Sequence, residues 1–295
     1  MRVLIIGGTR FIGPHVVREL AAFGHELTVY HRGVHRGELP SGVREVCTPD
    51  AAFPVTRFPA EFADDGADVV IHMVPMGEAD AIAAVEAFRG RAGRIVAISS
   101  GDVYRAYGIF TGIEPGPVSS GLLDEDAPLR SVLYPYRGRA KSPDDLEYSY
   151  EKILVERMLS SHPEFPATIL RLPNVYGAGG NADLASVHSF ADHPNWRWTH
   201  GYVENVAHAI VLAATDERAA GRIYNVGESY TPTVAERLAH LPSDVPLSQD
   251  AKLNFAQDIA YDTSRIRAEL GYDEPAPYQE GLRRTLAAQG LQAVD

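Results

Sequence analysis

The chain has 295 residues, of which 45% are hydrophobic and 22% charged, and its formal net charge is −12. That length suits one large domain or two interleaved ones, and the acidic balance argues against a dedicated binder of nucleic-acid phosphates, which would carry a basic surface. The single cysteine, Cys47, excludes a disulfide framework and a thiolate metal cluster.

The opening MRVLIIGG is too short an apolar run for a signal peptide or a membrane span, so cytoplasm is the expected location and no membrane partner is expected. RVLIIGG (2–8) reads as a buried strand ending in glycines, and FIGPHVVRELAAFG (11–24) as a helix stopped by Gly24. HELTVYH (25–31) and VREVCT (43–48) read as the second and third strands, ADVVIHMV (67–74) as the fourth and AGRIVAISS (92–100) as the fifth, with EADAIAAVEAFRG as a helix before it. The stretch 105–146, rich in Gly, Pro and charge, reads as a long loop. SPDDLEYSYEKILVERMLSSH predicts one long helix, with Ser142 as its cap, Pro143 in its first turn and Asp145 three residues after the cap. PATILRLPNVYG is a sixth strand leading into a loop; GYVENVAHAIVLAATDE is a helix after a short extended entry, GRIYNVGE a strand, and DTSRIRAELGY and YQEGLRRTLAAQG closing helices. Strands alternating with helices predict an α/β fold: a doubly wound parallel sheet covered on both faces.

Two local patterns carry chemistry. The first strand runs into GGTRFIG and then a helix, the context in which a glycine fingerprint binds a dinucleotide: Gly7 and Gly8 permit the tight turn, Gly13 lets the helix approach the sheet, and the helix start offers N–H groups to a pyrophosphate. Gly7, Thr9, Arg10, Phe11, Ile12 and Gly13 are the candidate contacts. The second strand ends VYHRG, where an NAD binder usually places a carboxylate for the ribose 2′-hydroxyl; His31 and Arg32 stand there instead. Arg10 and Arg32 with no carboxylate suit a 2′-phosphate, which predicts NADP over NAD, although solvated arginines would give the same pattern. Asp50 is a candidate contact for the adenine.

The second pattern is YSYEK (148–152). On one helix, Tyr148 and Lys152 lie about a turn apart on the same face. They are either a tyrosine packed on a lysine stem or a phenol, with ordinary pKa about 10, whose ionised form the ammonium favours.

Together, GGTRFIG, ISSGDVY and YSYEK resemble the extended short-chain dehydrogenase/reductase family, the NAD(P)-dependent sugar-nucleotide epimerases and dehydratases. DVVIH, RLPNVYG, GYVENVA, RIYNVGE and DTSRIRAELGY extend the resemblance, in order, over most of the chain. It implies a Rossmann domain over 1–176, its sheet completed by segments near 201–228, and a small, interleaved and mainly substrate-binding domain over 177–295. It implies Ser100, Tyr148 and Lys152 as the catalytic set, with Lys152 also on the nicotinamide ribose, a small sugar-like substrate, and a homodimer through two helices per subunit, one of them the Tyr148 helix. Asp102 is a further candidate: dehydratases of the family carry Glu there, and the alternative is an Asp that closes its own turn.

Three departures accompany the resemblance. Only 26 residues separate His72 from Ser99, with MVPMG where the family has an alanine-rich turn. The 105–146 segment is longer than usual, and Tyr104, Tyr107, Tyr134 and Tyr136 either line a wall or pack. The segment from Gly177 to Gly201 is short where the family grips a nucleotide diphosphate, so a full nucleotide-sugar is not required as substrate. His188, His193 and His200 beside Trp196 and Trp198 fit no zinc spacing, so no metal is expected. The competing readings are an RNA-binding branch of the same superfamily and an NADP sensor without turnover.

Overall fold

The computed structural model describes residues 1–35, 37–49, 51–179, 185–242 and 253–292. The strands are β1 (Arg2–Ile6), β2 (Glu26–His31), β3 (Arg44–Cys47), β4 (Ala67–His72), β5 (Ala92–Ser100), β6 (Ala167–Leu172), β7 (Asn174–Tyr176), β8 (His200–Tyr202) and β9 (Ile223–Asn225). The helices are α1 (Ile12–Ala22), α2 (Glu61–Asp65), α3 (Glu78–Phe88), α4 (Arg105–Phe110), α5 (Leu146–Ser149), α6 (Lys152–Ser160), α7 (Ala185–His188), α8 (Val203–Thr215), α9 (Val234–Leu238), α10 (Ser264–Leu270) and α11 (Tyr278–Ala288). None of the described helices is long and apolar enough to cross a membrane.

Seven strands form one sheet in the order β3-β2-β1-β4-β5-β6-β9, and the ladders from β3 through β5 are parallel. This is a Rossmann-like α/β fold. The order reverses direction between β1 and β4, the switch point outside whose carboxyl ends such sheets bind ligands.

Two compact units make up the chain. The first comprises Met1–Ser100, Leu133–Arg171 and Ala207–Tyr224. On one face of its sheet, Leu4, Ile6, Val70 and Ile95 pack with Ala81, Ala84, Val85 and Phe88 of α3 and with Val155 and Leu159 of α6. Each such buried aliphatic side chain contributes about 1.5–3 kcal/mol. A buried polar knot ties α6 to the sheet: Glu156 accepts from Arg171 Nη2 at 2.7 Å, Arg171 Nε at 3.0 Å and Ser99 Oγ at 2.5 Å.

The second unit comprises Gly101–Val132, Leu172–Val206 and Asn225–Asp295. It holds the two-stranded parallel sheet β7-β8 and an aromatic cluster in which Phe110 stacks on Trp196 at 4.7 Å and Phe190 and Phe255 meet Trp196 edge-on. A buried ion pair, Arg237 Nη2 to Glu228 Oε2 at 2.7 Å, lies beside the Tyr278 ring.

The single long helix expected over SPDDLEYSYEKILVERMLSSH is two helices. Residues 142–145 form a turn in which the Asp145 carboxylate accepts from Lys141 N and Ser142 N. α5 then ends at Ser149, Tyr150 (ψ 119°) and Glu151 (φ −161°, ψ 99°) are extended, and α6 begins at Lys152.

Candidate active site

The β1–α1 turn is built for close approach. Gly7 and Gly8 have φ of 93° and 102°, the left-handed region where a side chain is strained. Phe11 adopts φ 53° immediately before α1. Gly7 N donates to Tyr30 O at 2.8 Å, fixing the turn to β2. A Cβ placed on Gly7 would lie 3.1 Å from the Cβ of Met73, so this turn also abuts the MVPMG segment that leaves β4.

At the end of β2, His31 is buried and both ring nitrogens are engaged: Nδ1 accepts from Gly33 N at 2.9 Å, and Nε2 meets Glu45 Oε1 at 2.7 Å. A ring that accepts at Nδ1 and donates at Nε2 is the neutral tautomer, so His31 shapes the turn rather than offering a positive charge. The Arg32 guanidinium lies 4.4 Å over the Phe53 ring. Arg10 is exposed, its carbonyl accepts from Gly13 N at 3.0 Å, and neither guanidinium makes an ion pair or hydrogen bond among the described residues. Asp50 lies outside the described residues.

The MVPMG segment, which the sequence shows only as a departure, organises the other half of the site. Lys152, the first residue of α6, is buried, and its ammonium donates to Pro75 O and to Ile98 O, the latter at 3.0 Å. Glu151 N donates to Met76 O at 2.9 Å. A Cβ on Gly77 would lie 2.5 Å from Ser149 O, so only glycine lets the end of α5 settle there. Asp80 holds the segment from below, accepting from Met76 N at 2.6 Å and Gly77 N at 2.9 Å; burial pushes its carboxyl up. His72 is buried, its Nε2 has no partner among the described residues, and burial, reinforced by the charge of Lys152, lowers its pKa to about 3. The ring is therefore neutral at working pH.

Ser99 and Ser100 are separated by their surroundings. Ser99 is buried and spends its hydroxyl on Glu156, while Ser100, next along the strand, is half-buried on the opposite face. Asp102, in the second unit, is buried in a short turn, Gly101–Val103, whose Asp102 carbonyl accepts from Arg130 Nε.

The expectation that Tyr148 and Lys152 share one helix face is corrected. Tyr148 belongs to α5, is 37% exposed, and has the Arg137 guanidinium 4.6 Å over its ring. Arg137 also lies 3.6 Å over the ring of Tyr134 and donates from Nε to Tyr148 O at 2.9 Å. The tyrosine whose ring is near the Lys152 ammonium is Tyr150, at 5.7 Å. The break is held by the buried Glu151 carboxylate, which caps α6 through Ile153 N at 2.9 Å and accepts from Tyr134 N at 2.5 Å. Glu151, Asp80, Arg137 and Tyr150 carry no signal in the sequence reading; a Gly two residues past a proline, as in PMG, is the one local hint of the close approach at Gly77.

Tyr104, Tyr107, Tyr134 and Tyr136 each pack against a neighbour within their own unit. Tyr104 is fully buried and donates to Asn225 Oδ1 at 2.6 Å, Tyr107 meets Phe110, Tyr134 lies under Arg137, and Tyr136 packs on Tyr150. In the histidine-rich stretch, His193 stacks on Phe255 at 3.6 Å and His200 meets Trp198 O through Nδ1 at 2.7 Å. Among the described residues no group of three or more His, Cys, Asp or Glu side chains is placed to hold a metal ion.

A sequence model described as the NAD dependent epimerase/dehydratase family matches residues 135–227, the segment that contains the α5–α6 junction. The dTDP-glucose 4,6-dehydratase of Streptomyces niveus is 24% identical over 97% of this chain and 92% of its own length. The 2′-dehydrokanamycin reductase of Streptomyces kanamyceticus is 27% identical over 95% of this chain and 80% of its own length. The UDP-glucose 4-epimerase of Thermus thermophilus, solved in complex with NAD, superimposes with a TM-score of 0.64 at 22% identity, covering 98% of both chains.

Proposed function

We propose that the protein is an NAD(P)-dependent oxidoreductase that moves hydride at a secondary alcohol or carbonyl carbon of a sugar-like substrate, sugar-nucleotides included. The observation that carries the reading is the placement of Lys152. Its buried ammonium is anchored to the exits of β4 and β5, in the same unit as a glycine turn that a dinucleotide fits and against the segment which that turn touches.

The fit of a dinucleotide rests on the turn itself. Two glycines at positive φ and the bare flank of Gly13 bring backbone N–H groups and the α1 terminus together with no Cβ in the way. Gly7, Thr9, Arg10, Phe11, Ile12 and Gly13 would hold the pyrophosphate half, and Lys152 the nicotinamide ribose. Bound there, the nicotinamide takes up or returns hydride. The guanidinium groups of Arg10 and Arg32, neither of them in an ion pair among the described residues, beside a neutral His31, support NADP over NAD.

Ser100 would hydrogen-bond the reacting oxygen, and a phenol at the α5–α6 junction, Tyr148 by motif position, would take or give its proton while Lys152 favours the phenolate. Asp102 in an elimination step is the remaining part of the reading. The two curated relatives, one named for dTDP-glucose and one for 2′-dehydrokanamycin, support a sugar-like substrate with or without a nucleotide, in line with the short segment between Gly177 and Gly201.

The test is turnover followed at the nicotinamide absorbance, with NADPH or NADH against ketosugars including 2′-dehydrokanamycin, and with NADP or NAD against dTDP-glucose and UDP-glucose. Cofactor-dependent conversion of any of these supports the reading. Saturable cofactor binding with no hydride exchange on any of them opposes it.

A further inference from the structure

We propose that Asp80 is a positioning residue for the hydride-transfer reaction, holding the Lys152 ammonium in place through two peptide groups of the MVPMG segment. The inference rests on the hydride-transfer reading above and adds the residue that sets where its ammonium sits.

The two oxygens of the Asp80 carboxylate grip consecutive backbone amides: Oδ2 accepts from Met76 N at 2.6 Å and Oδ1 from Gly77 N at 2.9 Å. Each of these N–H groups shares its peptide plane with a carbonyl that faces the α5–α6 junction. The Pro75–Met76 peptide carries Pro75 O, which accepts from the Lys152 ammonium. The Met76–Gly77 peptide carries Met76 O, which accepts from Glu151 N at 2.9 Å. A trans peptide points its N–H and C=O to opposite sides, so both planes stand between Asp80 and the start of α6.

This bridge is dry. Asp80 and Glu151 are 0% exposed and Lys152 5%, and Pro75 and Gly77 are buried as well. The carboxylate faces the positive N–H end of the Pro75–Met76 peptide dipole and the ammonium faces its negative carbonyl end. Hydrogen bonds to ionised groups are the strong ones, and in a chain each polarises the next, the more so away from water. Burial pushes the Asp80 carboxyl up, while the Met76 and Gly77 amides and the charge of Lys152 pull it back.

The other groups around the ammonium do not replace Asp80. His72, at the end of β4, is neutral; β5 offers the Ile98 carbonyl at 3.0 Å; the Tyr150 ring centre is 5.7 Å away. The Glu151 carboxylate accepts from Tyr134 N and Ile153 N. Asp80 is also the third residue of α3 and closes its first turn. A helix cap alone would stabilise α3 and leave Lys152 unaffected, and this difference is what the experiment reads.

The experiment is trace labelling of the full chain with acetic anhydride over roughly pH 7 to 11, the range in which lysines lose their protons. Peptide mass spectrometry follows Lys152 against the exposed Lys141 of the same sample. A general loosening raises Lys152 labelling at every pH, whereas loss of the bridge to Asp80 moves its midpoint. In Asp80→Asn one acceptor oxygen and the charge are gone, and the Lys152 midpoint should fall by about one pH unit relative to Lys141. Asp80→Glu, which keeps the charge and both oxygens, should recover most of that fall. Asp68→Asn, which removes an exposed carboxylate bound to Arg2 N, should leave it unmoved. A midpoint that stays put in Asp80→Asn, or falls as far in Asp80→Glu, overturns the inference and leaves Asp80 a helix cap.

Fluorescence titration reads the same placement from the cofactor side. Asp80→Asn should weaken NADPH about tenfold, the loss of one well-placed hydrogen bond, and leave 2′,5′-ADP, which lacks the nicotinamide ribose, almost unchanged. Equal weakening of both overturns the inference. Melting scans check that each variant folds. Should Asp80→Asn not fold, wild type decides: Lys152 should label over the same pH range as Lys141, because a buried ammonium without a counter-charge loses its proton earlier, and an earlier midpoint overturns the inference. Should wild type bind neither NADPH nor NADH, the hydride-transfer reading itself fails, while the labelling midpoints still report whether Asp80 acts on Lys152.

Discussion

Gly13 and Gly8 approach so closely that a Cβ on Gly13 would lie 2.4 Å from the Gly8 Cα and 2.7 Å from its carbonyl oxygen. The obstacle is backbone, which cannot rotate aside. Gly13→Ala is therefore expected to push α1 away from the turn, destabilising the protein by about 1–3 kcal/mol and weakening dinucleotide binding. Thermal melting with and without NADPH checks both: the variant should melt lower and gain less from the cofactor. Gly24, where a Cβ would meet nothing within 4 Å, is the matched control for the stability effect, since its φ of 76° still penalises a side chain.

Glu156 and Arg171 form a buried ion pair whose side chains are 5% and 2% exposed, and Ser99 shares the carboxylate. Removing one partner strands a charge inside the protein. Glu156→Ala should cost about 3–5 kcal/mol of stability in a urea titration, whereas the apolar double replacement Glu156→Leu with Arg171→Met should cost less than either single change. A double variant that loses the sum of the two single losses contradicts this account.

Acid sensitivity should trace partly to His72. Its pKa falls from 6.5 to about 3 on folding, so between those values the unfolded chain binds a proton that the native chain does not. Stability then rises with pH across this window by about 1.4 kcal/mol per unit from this group. The contribution is fully present above pH 6.5 and is lost as pH falls toward 3. His72→Gln should flatten part of that slope in denaturation curves taken at pH 4, 5 and 6. His200, held well below its ordinary range by burial next to Arg237, contributes a slope of the same sign and remains in the variant.

Cofactor choice should depend on the two guanidinium groups and not on His31. Arg32→Ala is expected to weaken NADPH binding by about 10- to 100-fold, the loss of charge-assisted hydrogen bonds, and to leave NADH almost unchanged. His31→Gln should instead weaken both cofactors together, because His31 ties the turn at Gly33 to Glu45. Parallel fluorescence titrations with the two nucleotides separate these outcomes.

The sheet was readable in the sequence because its strands are continuous apolar runs, the signature of strands covered on both faces: VLII, VVI and IVAI are buried in β1, β4 and β5. The glycine turn was readable because its requirement is local. The break between α5 and α6 was not, because every residue of LEYSYEKILVE suits a helix. What stops the helix is tertiary: Met76 O takes Glu151 N, Gly77 receives Ser149 O, and Tyr134 N takes the Glu151 carboxylate. The β7-β8 pair was hidden for a related reason. Each strand has three residues, and their pairing, Asn174 with His200, crosses a separation that no local pattern encodes. His31 was singled out by position alone; its burial and its bond to Glu45 depend on β3 lying beside β2.

The central claim is that the β1–α1 turn holds a nicotinamide dinucleotide for hydride transfer to or from a sugar-like carbon. The most direct measurement uses NADPH deuterated at nicotinamide C4, incubated with the protein and a ketosugar, with the product analysed by mass spectrometry. The account predicts one deuterium on the new carbinol carbon, and no transfer from protein carrying Gly13→Ala. A ketosugar converted without deuterium uptake, or transfer undiminished in the Gly13 variant, would contradict it.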